Sequence, residues 1–389
     1  MWIASSLDTV LKPTIAALGN FDGIHRGHDR VIQPILPGSS FAQECRSQEC
    51  RSQELSTKER STTVVSQKIP ARVKPWGATD ATRLMSPRLY STVITFSPHP
   101  QEFFTGQPKA LLTLPEEKAA RLEALGVEQL IVLPFNRELA YLTPQEFVAD
   151  LLVDTLQVRG VSVGQDFCFG KGRSGTAADL QRLAALFQVK VNIVPLQYDR
   201  VDYDRDCDNM NGNEPQSDRP GDRYGNRPGD RISSSAIRDA LAQGEIVTAN
   251  TLLGYPYSLE GRVITGQQLG RQLGFPTANL QISSQKFLPR SGVYGVQVQI
   301  LSPDSGTESA LLPGVMNLGT RPTVGNHLEQ SLEVHLLQWE GDLYGRSLRI
   351  YLRQFLRSEQ KFSSLVELKA QIQNDCQAAQ QSLGSLGDL

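Results

Sequence analysis

The chain has 389 residues, with 39 lysines and arginines against 41 aspartates and glutamates, a net charge of −2 and five cysteines. This balance offers no basic face for nucleic acid, and without a long apolar run or a signal-like N-terminus we expect neither a membrane span nor export. Without such segments we expect a soluble cytoplasmic protein, and the length predicts two domains. No C-x-x-C pair supports a zinc site or a disulfide framework.

The first predicted strand is the apolar run Thr14–Leu18, and the glycine-rich stretch Gly19–His28 follows it. Glycine permits a tight turn and a close approach of the backbone to a ligand. His25 and His28 are three positions apart, so they share one face if a helix begins here. A helix N-terminus attracts phosphate, and two imidazoles add donors for charge that develops on an α-phosphate. An isolated H-x-x-H would instead favour an ordinary polar turn between a strand and a helix.

Two tracts interrupt the first half of the chain. Residues 37–87 are polar and contain a tandem repeat, and residues 200–230 carry the sequence Arg-Pro-Gly-Asp-Arg twice. Neither tract has apolar periodicity, so we predict two disordered loop insertions. A nucleic-acid role for their arginines is the alternative, but the interspersed acidic residues favour a solvated loop.

The remainder of the first half alternates predicted strands with predicted helices. Further strands are predicted at Thr92–Phe96, Gln129–Leu133, Gly160–Val163 and Lys190–Leu196. Capping boxes at Thr143 and Thr176 mark helix starts. The alternation predicts a parallel, doubly wound sheet that binds ligands at the carboxyl ends of its strands. No G-x-G-x-x-G follows the first strand, which argues against a dinucleotide-binding dehydrogenase.

The pattern changes after residues 253–257. Apolar residues now alternate with polar ones, and we predict antiparallel strands of a small barrel around Val298, Val334 and Ile350. A last helix is predicted from the capping box that starts at Ser364, with one apolar stripe. The stripe comprises Leu365, Leu368, Ile372 and Ala379. These changes place a domain boundary near Asn250–Glu260, between domains 1–250 and 251–389.

Three further motifs lie at predicted strand or helix ends in the first domain. Thr95–Pro100 leaves His99 at a strand end, and Val163–Arg173 combines an acid, two aromatic rings and a basic glycine-rich loop. Ile232–Arg238 has serines that can cap the start of a helix and an arginine one turn further along it. A helix N-terminus with a nearby arginine predicts an anion site. Taken singly, the three also fit strand termination, an aromatic core and an ordinary helix cap.

The richest segment of the second domain is Gly261–Leu280. Its glycines can form a backbone cradle for phosphates, although the pattern is not the Walker motif. Thr277 and Asn279 are two positions apart, so in an extended segment both oxygens face one side, which suits Mg²⁺ that bridges ATP phosphates. The alternative is a glycine-rich turn before an ordinary strand. Glu333 lies on the polar face of its strand, and there the alternative is a solvent-facing carboxylate.

These motifs together resemble one family. G-N-F-D-G-I-H-R-G-H is similar to the H-x-G-H nucleotidyltransferases, in the form found in bifunctional bacterial riboflavin kinase/FAD synthetases. T-F-S-P-H-P, V-G-Q-D-F-C-F-G and S-S-S-A-I-R resemble the synthetase half, with Ser235 where the family usually has threonine. G-R-Q-L-G-F-P-T-A-N and E-V-H resemble the flavokinase half. The resemblance covers the whole chain except the two insertions.

The resemblance implies a fold and two activities. We expect a Rossmann-like nucleotidyltransferase domain, then a small antiparallel β-barrel flavokinase domain with a C-terminal helix. The second domain would phosphorylate riboflavin to FMN, and the first would adenylylate FMN to FAD with release of pyrophosphate. Both steps would use ATP with Mg²⁺, with no nucleic acid or membrane as partner and the oligomeric state left open. The alternative is a flavin-binding regulatory protein with one or both sites silent.

The resemblance also assigns roles to residues. In the first domain His25 and His28 would stabilise the transition state, and the predicted ATP-binding residues are Gly19, Asn20, Phe21, Asp22, Gly27, Ser234, Ser235 and Arg238. The predicted flavin-binding residues there are His99, Asp166, Phe167, Phe169 and Arg173. In the second domain Glu333 would act as base toward the riboflavin 5′-hydroxyl. ATP would bind at Gly266, Gly270, Arg271, Gly274, Thr277 and Asn279, the last two with the metal, and riboflavin at Tyr294, Arg321, Arg357 and Glu359.

Overall fold

The computed structural model describes residues 1–47, 88–198, 231–266, 269–301, 310–322 and 328–384. Residues 48–87 and 199–230, which hold most of both predicted insertions, lie outside that description. The described residues form two compact units. The first comprises Met1–Phe21, Gly27–Lys109 and Pro115–Leu196, and the second comprises Asp22–Arg26, Ala110–Leu114 and Gln197–Leu389.

In the first unit, six described strands form a parallel sheet in the order β1-β4-β3-β2-β5-β8. The strands of this unit are β1 (Trp2–Ala4), β2 (Thr14–Leu18), β3 (Tyr90–Ser97), β4 (Gln129–Pro134), β5 (Val158–Gly164), β6 (Cys168–Phe169), β7 (Gly175–Thr176) and β8 (Lys190–Val194). β6 and β7 pair separately. All five residues of β2 are buried, as expected for a central strand of a covered parallel sheet. The predicted Rossmann-like sheet is confirmed, whereas β1 was not predicted.

Helices connect these strands. They are α1 (Arg26–Ile32), α2 (residues 40–47), α3 (Pro100–Thr105), α4 (Pro115–Ala124), α5 (Arg137–Tyr141), α6 (Pro144–Glu146) and α7 (Ala177–Ala185). A π-helix at Phe147–Thr155 continues α6, and short 3₁₀ turns lie at Leu7–Thr9, Gln33–Ile35 and Lys171–Arg173. Both predicted capping boxes are confirmed, since Thr143 and Thr176 exchange hydrogen bonds with Glu146 and Asp179.

Helix α2 corrects one prediction. It lies in the tract from residue 37 that we predicted to be disordered, yet Ala42 and Cys45 are buried. The Cys45 sulfur packs against β5, where a Cβ on Gly160 would lie 2.5 Å from it. Burial raises the pKa of the Cys45 thiol to about 11, and Glu44 pairs with Lys190 at 2.8 Å. The predicted disorder is therefore wrong for residues 40–47, because one short turn of apolar residues is enough to dock this helix.

The second unit contains a closed antiparallel barrel in the order β10-β13-β12-β11-β14-β9. Its strands are β9 (Ser258–Ile264), β10 (Ala278–Ile282), β11 (Gly292–Leu301), β12 (Leu312–Pro322), β13 (Leu328–Leu336) and β14 (Ser347–Arg357). Its helices are α8 (Ser234–Gln243), α9 (Ile246–Leu253), α10 (Leu269–Leu273) and α11 (Leu365–Gly384). The alternating residues point into the barrel as predicted, with Val298, Val334 and Ile350 all buried in one core.

Helices α8 and α9 share the core of the barrel. Ile237 and Leu252 are buried in the same cluster as the inward residues of the strands. Asn250 ties α9 to the barrel, because its side-chain amide donates to the Leu352 carbonyl at 2.9 Å and its oxygen accepts from the Tyr257 amide at 2.7 Å. The predicted domain boundary after residue 250 stays a prediction, since it rests on sequence pattern rather than on packing.

Helix α11 begins as predicted, with the Ser364 hydroxyl accepting from the Glu367 amide at 3.2 Å. Its buried face begins one turn later than predicted, since Leu365 is 62% exposed while Leu368 and Ile372 are half-buried. The assignment of Leu365 to the apolar stripe is therefore wrong. Within the described residues, no helix has both the length and the apolar character needed to cross a bilayer.

Candidate active sites

A cavity of about 410 Å³ lies in the second unit. One wall is the outer face of the barrel and the other is α11, whose Ala379 and Leu383 pack against the outward residues Val293 and Val315. It is lined by Gly270, Leu273, Phe275, Thr277, Asn279, Val293, Val315, Asn317, Glu333, His335, Arg357, Glu359, Gln360, Phe362, Leu368, Ile372, Asp375 and Cys376. Six residues that we predicted to bind ATP, metal or flavin, or to act as base, therefore meet in one cavity.

Three neighbouring strands set a row of polar side chains along the cavity. In the barrel register, Asn279 of β10 and Asn317 of β12 are both partners of Glu333 in β13. Because side chains alternate along a strand, their neighbours, such as Val334, point into the barrel core while these three line the cavity. The Thr277 hydroxyl donates to the Glu333 carboxylate at 3.3 Å. Asn317 was not among the predicted site residues.

The glycine-rich segment closes one end of the cavity. A Cβ on Gly270 would lie 2.4 Å from the Phe275 carbonyl oxygen, so only glycine fits there. Gly274 ends α10 with a left-handed φ of +89°. A Cβ on Gly266 would collide with the Asn279 amide, and Arg271 is exposed. Residues 267 and 268 lie outside the described part of the chain.

His335 is a cavity residue that belongs to the E-V-H motif but had no predicted role. Its Nδ1 lies 2.8 Å from the Pro276 carbonyl oxygen, so Nδ1 carries the proton and donates. Its ring meets the Phe275 ring edge-to-face at 5.6 Å. The last pair of the β10–β13 ladder on this side is Ala278 with Val334. The His335 hydrogen bond therefore connects β13 to Pro276, the residue before Thr277.

The other end of the cavity carries an ion pair between β14 and α11. Arg357 makes a bidentate contact with Asp375, with nitrogen–oxygen distances of 2.8 to 3.1 Å. Gln371 also donates to Asp375, at 2.9 Å, and the Arg357 guanidinium lies 5.7 Å from the Phe362 ring centre. Burial and the adjacent Asp375 carboxylate raise the pKa of the Cys376 thiol to about 11. Gln371, Asp375 and Cys376 were not among the predicted site residues, because Asp375 pairs with a residue 18 positions away along the chain.

Two predicted flavin-binding residues are not placed at this cavity. The Tyr294 ring is fully buried in the barrel core, and its hydroxyl donates to the Arg290 carbonyl. Burial raises the pKa of this phenol. Val293, one position earlier, faces the cavity instead. Arg321 belongs to the part of β12 whose side chains lie outside the description, so its role stays a prediction.

In the glycine-rich stretch before α1, the backbone makes an unusual turn. Phe21, Gly23 and Ile24 all have left-handed φ angles, of 46°, 91° and 37°. At Phe21 and Ile24 this conformation is strained, and such strain is concentrated at functional sites. The Phe21 ring is buried and meets the His28 ring edge-to-face at 5.2 Å. His28 lies in the first turn of α1, and His25 precedes the helix and is 5% exposed. Gly27 is also in this first turn, and Gly19 lies against the Phe21 ring.

Asp22 and Arg238 form a buried ion pair at 2.5 Å, with side chains 5% and 16% exposed. Arg238 was predicted to hold an ATP phosphate, and here its guanidinium also donates to the Ala110 carbonyl at 2.8 Å. Ser234, in the first turn of α8, donates to the Asp22 carbonyl at 2.8 Å, and Ser235 is exposed. The Ser233 hydroxyl caps the helix as predicted, accepting from the Ala236 amide at 3.2 Å.

Other polar side chains lie at the carboxyl ends of β2 and β3. The Asn20 carbonyl accepts from Lys118 at 2.8 Å and from the Thr95 hydroxyl at 3.0 Å. His99 caps α3, where its Nδ1 accepts from the Gln101 amide at 3.0 Å. Its Nε2 lies 3.2 Å from the Lys109 ammonium. Neither lysine was singled out in the sequence, where each is an ordinary helix or loop residue.

Aromatic rings also gather at this edge of the sheet. Phe167 and Phe169 stack at 5.8 Å after β5, but Phe169 is 5% exposed and packs in the core. Asp166 and Arg173 are exposed beside them. A second cluster, which was not predicted, is formed by residues at the ends of β3 and β4 and in α3, and it is more open, since Phe104 is 65% exposed. Its members are Phe96, Phe103, Phe104 and Phe135, with ring centres 5.3 to 5.8 Å apart.

Two family models match the chain. The model described as riboflavin kinase matches residues 253–383, and the model described as FAD synthetase matches residues 81–203. A bifunctional riboflavin kinase/FMN adenylyltransferase of Escherichia coli K12 is 35% identical over 371 residues, which is 95% of this chain and 93% of that protein. Proteins of the same name from Pseudomonas fluorescens and Bacillus subtilis are 34% and 30% identical, each over 94% of this chain and 91% of theirs.

A solved structure has a similar fold. It is titled a macrolide-efflux protein from Streptococcus pneumoniae, and it aligns with a TM-score of 0.68 over 97% of this chain and 98% of its own. Its sequence is 24% identical. This likeness concerns the fold alone.

Proposed function

The chain belongs to the family of bifunctional riboflavin kinase/FMN adenylyltransferases, and from that premise we propose which residues perform its two reactions. The enzyme phosphorylates riboflavin to FMN and adenylylates FMN to FAD, with ATP as co-substrate of both steps. The single observation that carries the kinase assignment is the cavity where Thr277, Asn279 and Glu333 meet Arg357 and Glu359. Because ATP is required, we place the enzyme in the cytoplasm.

In the kinase reaction, Glu333 is the general base. Its carboxylate takes the proton of the riboflavin 5′-hydroxyl while that oxygen bonds to the γ-phosphorus of ATP and the bond to the bridging oxygen breaks, releasing ADP. Asn279 and Asn317 flank Glu333 in the strand register, and the Thr277 hydroxyl donates to its carboxylate at 3.3 Å. Little covalent chemistry is required beyond this alignment, so positioning supplies most of the rate.

The ATP phosphates lie at the glycine end of the cavity. Gly270 lets the segment fold back on Phe275 and Thr277 at this end, and its glycine-rich backbone can cradle phosphates. The hydroxyl of Thr277 and the amide oxygen of Asn279 are hard oxygen donors beside the Glu333 carboxylate, a set that fits Mg²⁺. When bound there, Mg²⁺ would neutralise charge on the phosphates.

Riboflavin binds at the end of the cavity that α11 forms. Leu368 and Ile372 supply an apolar wall, and Phe362 and the Arg357 guanidinium offer planar surfaces for the isoalloxazine ring. Glu359 lies close to β12, because a Cβ on Gly319 would be 2.4 Å from its carboxylate. We infer that Glu359, which lines the cavity, accepts hydrogen bonds from the polar part of the flavin.

In the adenylyltransferase reaction, a phosphate oxygen of FMN bonds to the α-phosphorus of ATP, and pyrophosphate leaves. His25 and His28 stabilise the charge that develops on the α-phosphate. The phosphates bind at the N-terminus of α8, where Ser234 and the exposed Ser235 supply hydroxyls, with Arg238 as a third candidate ligand. The isoalloxazine of FMN fits either the rings beside Asp166 or the more open cluster around Phe104.

The test of the adenylyltransferase assignment is His28→Ala, assayed with riboflavin and with FMN as separate substrates. FAD formation should fall by about 10²-fold or more, as for loss of a donor to a developing charge. FMN formation should be unchanged, because Glu333 and its neighbours are intact. Chromatographic separation of riboflavin, FMN and FAD gives both rates. Full FAD synthesis by this variant would remove His28 from the site.

A further inference from the structure

The segment Ala110–Leu114 has an unusual set of hydrogen bonds. From the carbonyl of Ala110 to the amide of Thr113, six consecutive backbone groups all have a partner. On one side the partners come from residues 285–287. The Leu111 amide donates to the Gln285 carbonyl at 2.7 Å, and the Phe287 amide donates to the Leu111 carbonyl at 2.8 Å. The segment therefore adds a short parallel pairing to residues that lead into β11.

On its other side the segment holds the glycine-rich stretch. The Asp22 carboxylate accepts from the Leu112 amide at 2.8 Å and from the Thr113 amide at 3.4 Å. The Gly23 amide donates to the Thr113 hydroxyl at 3.1 Å. Arg238 completes the set, because it bonds both Asp22 and the Ala110 carbonyl. The turn that presents His25 is thus fixed through this segment.

Lys286 is a buried lysine on the barrel side of this segment. It is 4% exposed, and its ammonium donates to the Leu112 carbonyl at 2.8 Å and lies 4.8 Å from the Tyr257 ring centre. Burying an ammonium is costly unless the contacts that it makes compensate. Lys286 is not among the residues that line the kinase cavity. It lies in the part of the chain that matches riboflavin kinase, whereas Leu112 lies in the part that matches FAD synthetase.

We propose that Lys286 is a positioning residue for the adenylyltransferase reaction. By holding the Leu112 carbonyl it fixes the segment Ala110–Leu114, which in turn holds Asp22 and Gly23 and so places His25. A residue of the kinase part of the chain would thereby control the second reaction and not the first. The inference rests on the proposed role of the Gly19–His28 stretch.

The experiment uses Lys286→Met in the full-length chain, which keeps an apolar stem beside Tyr257 but removes the donor. Since a misplacement of about 1 Å can cost about 10²-fold in rate, kcat for FAD formation from FMN should fall on the order of tenfold to a hundredfold. KM for FMN should stay within about twofold, because Lys286 does not contact FMN, and riboflavin phosphorylation should also stay within about twofold. Lys286→Arg, which retains the donor, should recover most of the lost kcat.

A matched control is Arg349→Met, which removes another barrel cation, one that pairs with Glu260 at 3.1 Å and does not contact residues 110–114. It should leave the ratio of the two activities unchanged. Wild-type FAD synthesis by Lys286→Met, or an equal fall of both activities, would overturn the inference. If Lys286→Met does not fold, Lys286→Gln takes its place, and the ratio of FAD formation to FMN formation is measured for that variant. An equal fall of both activities in Lys286→Gln, or its failure to fold, would also overturn the inference. His28→Ala is assayed in parallel, since normal FAD synthesis by that variant would refute the proposed site itself.

Discussion

Replacing Glu333 with glutamine should slow FMN formation and leave FAD formation from supplied FMN intact. Glutamine keeps the length of the side chain and can still accept the Thr277 hydroxyl, 3.3 Å away in the wild type. It cannot take a proton from the riboflavin 5′-hydroxyl. General-base catalysis is worth roughly 10²–10⁴-fold, and at about 1.4 kcal/mol for each tenfold this is a loss of about 3 to 6 kcal/mol of transition-state stabilisation.

The assay measures initial rates with riboflavin and with FMN in separate reactions. Glu260→Gln is a suitable control, because Glu260 is a partly exposed barrel carboxylate paired with Arg349 away from the cavity. Loss of the Glu260 carboxylate should change either activity by no more than about fivefold, because the ion pair that it forms is partly exposed. A Glu333→Gln enzyme with the wild-type rate of FMN formation would refute the base assignment. Loss of FAD formation from FMN in this variant would instead refute the separation of the two sites.

Three further outcomes follow from the structure. His335→Phe keeps the ring beside Phe275 but loses the donor to the Pro276 carbonyl, so KM for ATP in the kinase reaction should rise about fivefold, as for one net hydrogen bond, with little change in KM for riboflavin. Asp375→Asn removes the anionic partner of the buried Arg357, and the free energy of unfolding should fall by about 3 kcal/mol in chemical denaturation. A fragment of residues 231–389 should phosphorylate riboflavin, whereas one of residues 253–389 lacks α8 and α9 and should melt at a lower temperature by circular dichroism.

Part of the regular structure of both units could be predicted from local pattern. The run Thr14–Leu18 is apolar enough to identify a buried strand, and the structure gives it the same bounds. Alternation around Val334 predicted both the strand and the side of it that faces the core. These patterns are reliable because strand and helix periods differ, so a few apolar residues distinguish them.

Elements with little apolar content of their own could not be predicted. Strand β1 has three residues, and two of them, Trp2 and Ile3, are about half exposed. Helix α2 buries Ala42 and Cys45 within a polar tract, and two residues are too few for a periodic signal. In each case the element is fixed by a neighbour that is distant in the sequence, which local pattern does not reveal.

The same limit applies to the cavity. Thr277, Asn279 and Glu333 were found because their motifs are local and resemble a known family. Asp375 and His335 were missed, since each acts through a partner 18 or 59 positions away along the chain. Alternation alone, applied to β11, could have placed Tyr294 in the core, because it has the same parity as the buried Val296 and Val298.

The position of α8 shows why sequence pattern and packing divide this chain differently. A boundary drawn from pattern falls where helical periodicity gives way to strand alternation, after α9. Packing depends instead on which apolar faces meet, and Ile237 and Leu241 of α8 share the core of the barrel. The serine motif at the start of α8 belongs by resemblance to the adenylyltransferase, yet its helix is supported by barrel residues. A change in the barrel core beneath α8 can therefore alter the adenylyltransferase without touching any residue that matches its motifs.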